Sequence, residues 1–169
     1  MSNFKINSDE FAWSNEKGLF THNDDPAIII WDKTLEVFMM TLNEFVDEEK
    51  KKMLLSTFGF RLGALVSQSY SDRTDLENIL IEFSDLYRNA GWGNVRISMF
   101  SQVKVVIELH NSWEQRVNKL MNKERACIFL PSLWIGLIRE LLREELNYTI
   151  IEKYVNEVKI AEIELFMNN

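Results

Sequence analysis

A chain of 169 residues, 46% hydrophobic and 12% aromatic, can bury a sizeable core and is not a disordered polypeptide. Its formal charge of −7 and pI near 5.0 argue against a nucleic-acid surface, which normally needs a basic stripe. One cysteine excludes an internal disulfide, and the chain shows neither a signal peptide nor an apolar run of about 18 residues, so a cytoplasmic protein without a membrane span is expected.

Residues 11–22 place Phe11 and Trp13, then Asn15-Glu16-Lys17-Gly18, then Leu19-Phe20, a pattern that predicts a short hairpin turning at Gly18. Asn23-Asp24-Asp25-Pro26 reads as a loop, because proline disfavours helical geometry in the residue before it. From Trp31 the period becomes helical: Leu35, Phe38, Met39, Leu42, Phe45 and Val46 make one apolar stripe. A second helix is expected over 47–70, burying Met53, Leu54, Phe58, Leu62, Leu65 and Val66. Gly59 and Gly63 lie four apart and offer a flat groove for another backbone. The run Lys50-Lys51-Lys52 follows Asp47-Glu48-Glu49 directly and reads as a solvated helix face.

Asp72 is a candidate N-cap for a third helix, with Leu76, Ile79, Leu80, Phe83, Leu86 and Tyr87 at helical spacing. Gly91-Trp92-Gly93 ends it, since Gly91 can take the left-handed C-terminal position. Period-two alternation predicts strands over 95–99 and 103–109. A linking segment with Trp113, Val117 and Leu120 leads to a long apolar helix over 126–146. The segments 148–155 and 158–166 read as a closing hairpin. Strand pairs separated by helices imply an α+β fold, an antiparallel sheet packed with helices. The chain is read as one domain, 1–169, with an N-terminal hairpin and loop over 1–30 and the helices and sheet over 31–169. It is either a whole small protein or an N-terminal domain cut from a larger signalling protein.

Phe58-Gly59-Phe60-Arg61-Leu62-Gly63 in a helix, Gly91-Trp92-Gly93 opening a strand, and Cys127-Ile128-Phe129-Leu130 leading to Gly136-Leu137 occur together in this order. In that order and spacing, over roughly 50–166, the chain resembles the 4-vinyl-reductase-type domain. That family includes sensor regions of bacterial regulators of aromatic catabolism and is related in structure to vesicle-tethering subunits of the transport protein particle. The resemblance implies a homodimer and an apolar pocket between helices and sheet, without reductase chemistry. It implies ligand-binding positions at Phe58, Leu62, Trp92, Met99, Cys127, Phe129, Leu133 and Trp134, although such large aromatics both line pockets and fill cores. The long helix and the Gly59/Gly63 face are candidate dimer contacts.

Zinc-containing members of the family use a cysteine, a glutamate and two further cysteines. Cys127 and Glu152 match the first two, but Val155 and Ile163 stand at the other positions, so no metal and no cofactor is expected. The family's first helix glycine is Ser132 here. His22, in a polar loop, and His110, ending a strand, read as surface or strand-end histidines more readily than as a general base or haem ligand. Cys127 reads as a small buried hydrophobe, with a reactive or acylated thiol as the alternative. No nucleophile–base pair, phosphate loop or convergent acid pair is visible. The expected function is therefore non-catalytic: a regulatory sensor domain binding a small apolar or aromatic ligand, or a partner protein, and signalling through a dimer. The alternative is a structural assembly subunit without ligand.

Overall fold

A computed structural model describes residues 2–6, 9–70, 72–121, 125–156 and 158–167. These residues form five helices and eight strands, arranged in two antiparallel sheets. The N-terminal hairpin is present as β2 (Asp9–Ser14) and β3 (Leu19–His22), with Gly18 at φ +59° in its turn. It is flanked by β1 (Ser2–Ile6) and β4 (Asp25–Ala27), giving the order β1-β2-β3-β4.

The loop expected over Asn23–Pro26 is thus a turn and a strand. Asn23 at φ 49° and Asp24 at φ 68° join His22 to its partner Asp25. Two positive-φ residues in succession make the tight hairpin geometry that Asn and Asp tolerate. Pro26 is accommodated because β4 is the sheet's edge, where a missing N–H costs no ladder bond.

Helix α1 (Asp32–Phe45) and helix α2 (Glu48–Ser67) follow, the second capped by Asp47, whose side chain accepts from Lys50 N at 2.8 Å. Their buried faces differ from those predicted by counting apolar residues. In α1 Met39 is buried and Leu35 and Leu42 half-buried, but Phe38 and Phe45 are exposed. In α2 the inward face is Lys51, Leu55, Gly59, Gly63 and Ser67, while Met53, Leu54, Phe58 and Leu65 are exposed.

The cause is a contact between backbones. A Cβ built on Gly59 meets Phe129 O at 2.2 Å, and one on Gly63 meets Leu133 O at 2.0 Å. One on Gly136 of the facing helix meets Phe60 O at 2.2 Å. Apolar counting gives glycine no weight, so it turned α2 the wrong way. The same contact removes the Gly59/Gly63 face from any dimer interface. Lys51 is buried too, donating to Asn43 Oδ1 at 2.8 Å and Glu48 Oε2 at 2.5 Å, which corrects its reading as a solvated residue.

Helix α3 (Leu76–Asn89) is capped by Asp75, which accepts from Asn78 N at 3.1 Å; Asp72, the predicted cap, instead accepts from Thr74 N at 2.9 Å. Its C-terminus closes as expected. Gly91 sits at φ +75°, Gly91 N donates to Arg88 O, and Trp92 N donates to Tyr87 O. These paired bonds satisfy two end carbonyls, and the Trp92 ring lies 5.9 Å from that of Tyr87 as the accompanying apolar contact.

Strands β5 (Asn94–Phe100) and β6 (Lys104–His110) pair, and β6 leads into helix α4 (Trp113–Leu120) through a reciprocal cap between Ser112 and Gln115. Helix α5 runs Phe129–Leu142, shorter than the expected 126–146, and stops at Arg143 in the left-handed region at φ 56°. No side chain of its own caps its start. The Glu114 carboxylate does so from α4, accepting from Ile128 N at 3.0 Å, Phe129 N at 2.9 Å and Leu130 N at 2.8 Å.

Strands β7 (Asn147–Val155) and β8 (Val158–Phe166) form the predicted closing hairpin in a sheet ordered β5-β6-β8-β7. Val105, Ile107 and Leu109 of β6 lie opposite Leu165, Ile163 and Ala161 of β8. They share one buried cluster with Phe83 and Tyr87 of α3 and Leu133, Trp134 and Leu137 of α5. The α+β antiparallel architecture is as expected, and no helix among the described residues is long and apolar enough to cross a membrane.

Candidate functional site

Where the N-terminal sheet approaches the helices, the chain forms a partly open cavity of about 530 Å³. One wall is the sheet, through Phe11, Trp13, Phe20, His22 and Ala27. The extended segment Ile28-Ile29-Ile30 borders it, followed by Asp32, Leu35 and Phe38 of α1 and Leu55, Phe58 and Leu62 of α2. The α3–β5 turn adds Asn89 to Trp92, and Trp113, Arg116 and Phe129 complete the wall.

The aromatic part consists of two groups. Phe129 lies 5.2 Å from Phe58, 6.2 Å from Trp92 and 5.6 Å from Trp113, centroid to centroid. On the sheet side Trp13 and Phe20 are 4.4 Å apart. These rings hold their places because Gly91 turns Trp92 under α3 and the glycine crossing fixes Phe129 against α2.

Two polar pairs interrupt this surface. The Arg116 guanidinium donates to Asp32 Oδ2 at 2.5 Å and Oδ1 at 2.9 Å, a two-pronged pair that holds the Asp32 carboxyl below its ordinary range and raises Arg116. His22 Nε2 lies 2.8 Å from Asp9 Oδ1, and Asn89 Nδ2 donates to Asp9 Oδ2 at 2.6 Å.

Four of the eight positions implied by the family resemblance, Phe58, Leu62, Trp92 and Phe129, border this cavity. The other four lie elsewhere. Leu133 and Trp134 have no solvent exposure and sit in the core behind it, whereas Met99 is 48% exposed on β5. Cys127 is buried beside Ser112, its Sγ 3.8 Å from Ser112 Oγ. Burial, and next the Glu114 charge, push its thiol well above the ordinary value, against a reactive thiolate there. Periodicity missed the N-terminal contribution, although the apolar run Ile28-Ile29-Ile30-Trp31, without helical or strand period, was visible as a segment needing a partner. His110 stands apart, its Nε2 3.2 Å from Glu108 Oε2.

The zinc positions do not make a metal site. Cys127 N donates to Glu152 Oε1 at 3.1 Å, so the two family-matched residues do adjoin, but Glu152 Oε2 pairs with Lys159 Nζ at 2.8 Å. Val155 is partly exposed on β7 and Ile163 fully buried on β8, neither able to donate electrons to a metal. Among the described residues no group of three or more His, Cys, Asp or Glu is placed to hold one. Purified protein is expected to carry well under one zinc per chain by elemental analysis. One zinc per chain would mean that a donor set other than these four residues exists.

No protein-family model matches this chain, and no curated protein matches it significantly. Among solved structures, it is similar to the phenol-responsive sensory domain of the transcription activator PoxR, determined with phenol. The TM-score is 0.73 at 15% identity, over 91% of this chain and 84% of that one. At that identity the likeness is one of fold.

Proposed function

We propose that this chain is a non-catalytic regulatory domain of the 4-vinyl-reductase type that binds a small apolar or aromatic ligand in the 530 Å³ cavity. The cavity carries the reading: its volume falls within the roughly 300–1,000 Å³ of small-molecule sites, and its wall is aromatic and aliphatic with few fixed polar groups. The fold likeness to a phenol-responsive sensory domain supports it. Among the described residues no Ser, Thr or Cys borders the cavity, so none is placed there as a nucleophile for His22 and Asp9 to activate, which supports a binding site over a catalytic one.

Filling the space tests this. Ala27→Trp, on the sheet wall, is expected to shift the melting temperature little while abolishing stabilisation by aromatic ligands. At a ligand concentration of about 100 Kd the parent gains about 2.7 kcal/mol, several degrees for a domain of this size. A parent that no member of an aromatic panel stabilises, with Ala27→Trp costing the roughly 1–3 kcal/mol of an overpacked core, would sink the proposal.

Signalling through a homodimer belongs to the same proposal. The outer faces of α1 and α2 support it, since Val37, Met40, Phe45, Met53, Leu54 and Leu65 are all exposed. Light scattering at micromolar concentration is expected to give twice the chain mass; a mass of 20.0 kDa at high concentration counts against the dimer. The same faces favour the second reading, an assembly subunit akin to those of the transport protein particle. That reading leads if the chain binds protein partners and no small ligand.

A further inference from the structure

The two polar pairs at the cavity differ in what they have left to offer. Arg116 is committed: besides Asp32, its guanidinium donates to Asn111 O at 2.6 Å and Gly91 O at 3.0 Å. His22 is committed through one nitrogen only. Its Nε2 faces Asp9 Oδ1 at 2.8 Å, and its ring stacks on Phe11 with centroids 4.8 Å apart. Asp9 is itself buried and is gripped by Asn89 Nδ2 at 2.6 Å and Asn23 Nδ2 at 3.2 Å. Position and ring plane of the imidazole are therefore set from three sides.

The contact with Asp9 favours one tautomer. Burial pushes the Asp9 carboxyl up, but the hydrogen bonds from Asn89, His22 and Asn23 outweigh it and hold the group below its ordinary range. An ionised carboxylate only accepts, so Nε2 is the donor toward Asp9 Oδ1, with Asn23 Nδ2 3.3 Å from the same nitrogen, and in the neutral imidazole this arrangement leaves the lone pair at Nδ1. Nδ1 makes no hydrogen bond among the described residues, and His22 is part of the cavity wall. A half-buried acceptor on a residue of a largely apolar cavity wall is a candidate recognition element. A ligand that brings an O–H or N–H satisfies it, and an isostere without that donor leaves it unpaired.

We propose that His22 Nδ1 is the polar recognition point of the cavity and selects apolar or aromatic ligands bearing one hydrogen-bond donor over isosteres bearing an acceptor alone. Asp9 acts through His22 as a positioning residue. The proposal rests on the reading of the cavity as a ligand site, and the probes separate the two. The pair is 2-naphthol and 2-methoxynaphthalene, matched two-ring molecules that differ in the donor, titrated calorimetrically into the whole chain at pH 8.

The expected result is that 2-naphthol binds about three- to tenfold more tightly, the range a neutral hydrogen bond supplies. His22→Leu should bring it down to the methoxy compound, whose own affinity stays within about twofold. Nitrogen-15 spectra of the unmodified protein should show His22 protonated at Nε2, with the Nδ1 resonance moving on addition of 2-naphthol and not of its ether. This readout stands even if His22→Leu folds poorly. Equal affinity for the two probes, or a proton found on Nδ1 in the free protein, overturns the His22 assignment and leaves the cavity reading intact. If neither probe binds, both fall.

Discussion

Gly63→Ala is expected to lower stability by about 3 kcal/mol, near the upper end of overpacking costs, which for a domain of this length is a fall of roughly 6–12 °C in melting temperature. In an exposed helix the same change would gain about 1 kcal/mol from alanine's better propensity. Here the added methyl would lie 2.0 Å from Leu133 O and 2.7 Å from Leu137 N, both backbone atoms of α5 that no rotamer change can move. Relief requires separating the two helices, and with them the neighbouring contacts at Gly59 and Gly136. The contrast is Leu65, 59% exposed on the opposite side of α2. Leu65→Ala should cost less than about 1 kcal/mol, because little apolar area leaves water there on folding. Chemical denaturation of the two variants beside the parent checks both. Similar losses for each would mean that α2 is rotated from the orientation described.

A comparably large effect is expected at Glu114. Its carboxylate reaches from α4 to cap α5, which has no cap of its own, and it stands in for a first-turn side chain at three backbone donors. Glu114→Ala strands those donors in a buried place, at about 1–3 kcal/mol each, less the relief of no longer burying a charge. A net loss of about 3 kcal/mol or more is expected. Glu114→Gln should fall between, since its oxygen still accepts from Ile128 and Phe129 while its amide meets the Leu130 N–H donor to donor.

The pH dependence has a definite sign. Burial, opposed by the three backbone bonds and aided by the nearby Glu152 charge, raises the Glu114 pKa above its ordinary value. A group raised on folding contributes stability that is fully present below its unfolded pKa and is lost as pH rises through the folded one. The difference in stability between parent and Glu114→Gln should therefore shrink as pH increases from about 4.3, the unfolded glutamate value, toward neutrality. A difference that grows over that interval would place the Glu114 shift in the other direction.

How far such features could be read beforehand depends on the kind of signal that carries them. Gly91 ending α3 and Gly18 turning the first hairpin were legible, because a positive φ leaves a one-residue mark in the sequence. The strands of the second sheet were legible from their alternation. Helix faces were not. The stripe Met53, Leu54, Phe58 and Leu65 is more apolar than Leu55 with two glycines, yet the glycines make the close contact and the stripe is left exposed. Strand β4 was hidden by Pro26, whose effect on an edge strand differs from its effect inside a sheet.

The cavity was half legible. Phe58, Leu62, Trp92 and Phe129 come from segments whose order suggested a common fold, and they meet around one space. Leu133 and Trp134 could not be told from them, because α5 is buried on every side and its pattern does not mark which side faces a pocket. His22 looked like a loop residue because Asn23-Asp24 was read as irregular chain. Taken as a two-residue turn, that pair places His22 at a strand end opposite Asp25 and beside Asp9.

The account's central claim is that an aromatic ligand sits between the N-terminal sheet and the helices. It is tested most directly by intermolecular nuclear Overhauser effects between 2-naphthol and methyl-labelled protein. The prediction is contacts from the naphthol ring protons to the methyl groups of Ala27, Leu35 and Leu62, all of which border the cavity. Contacts confined to Leu54 and Leu65 on the outer face of α2, or none at a saturating ligand concentration, would contradict it.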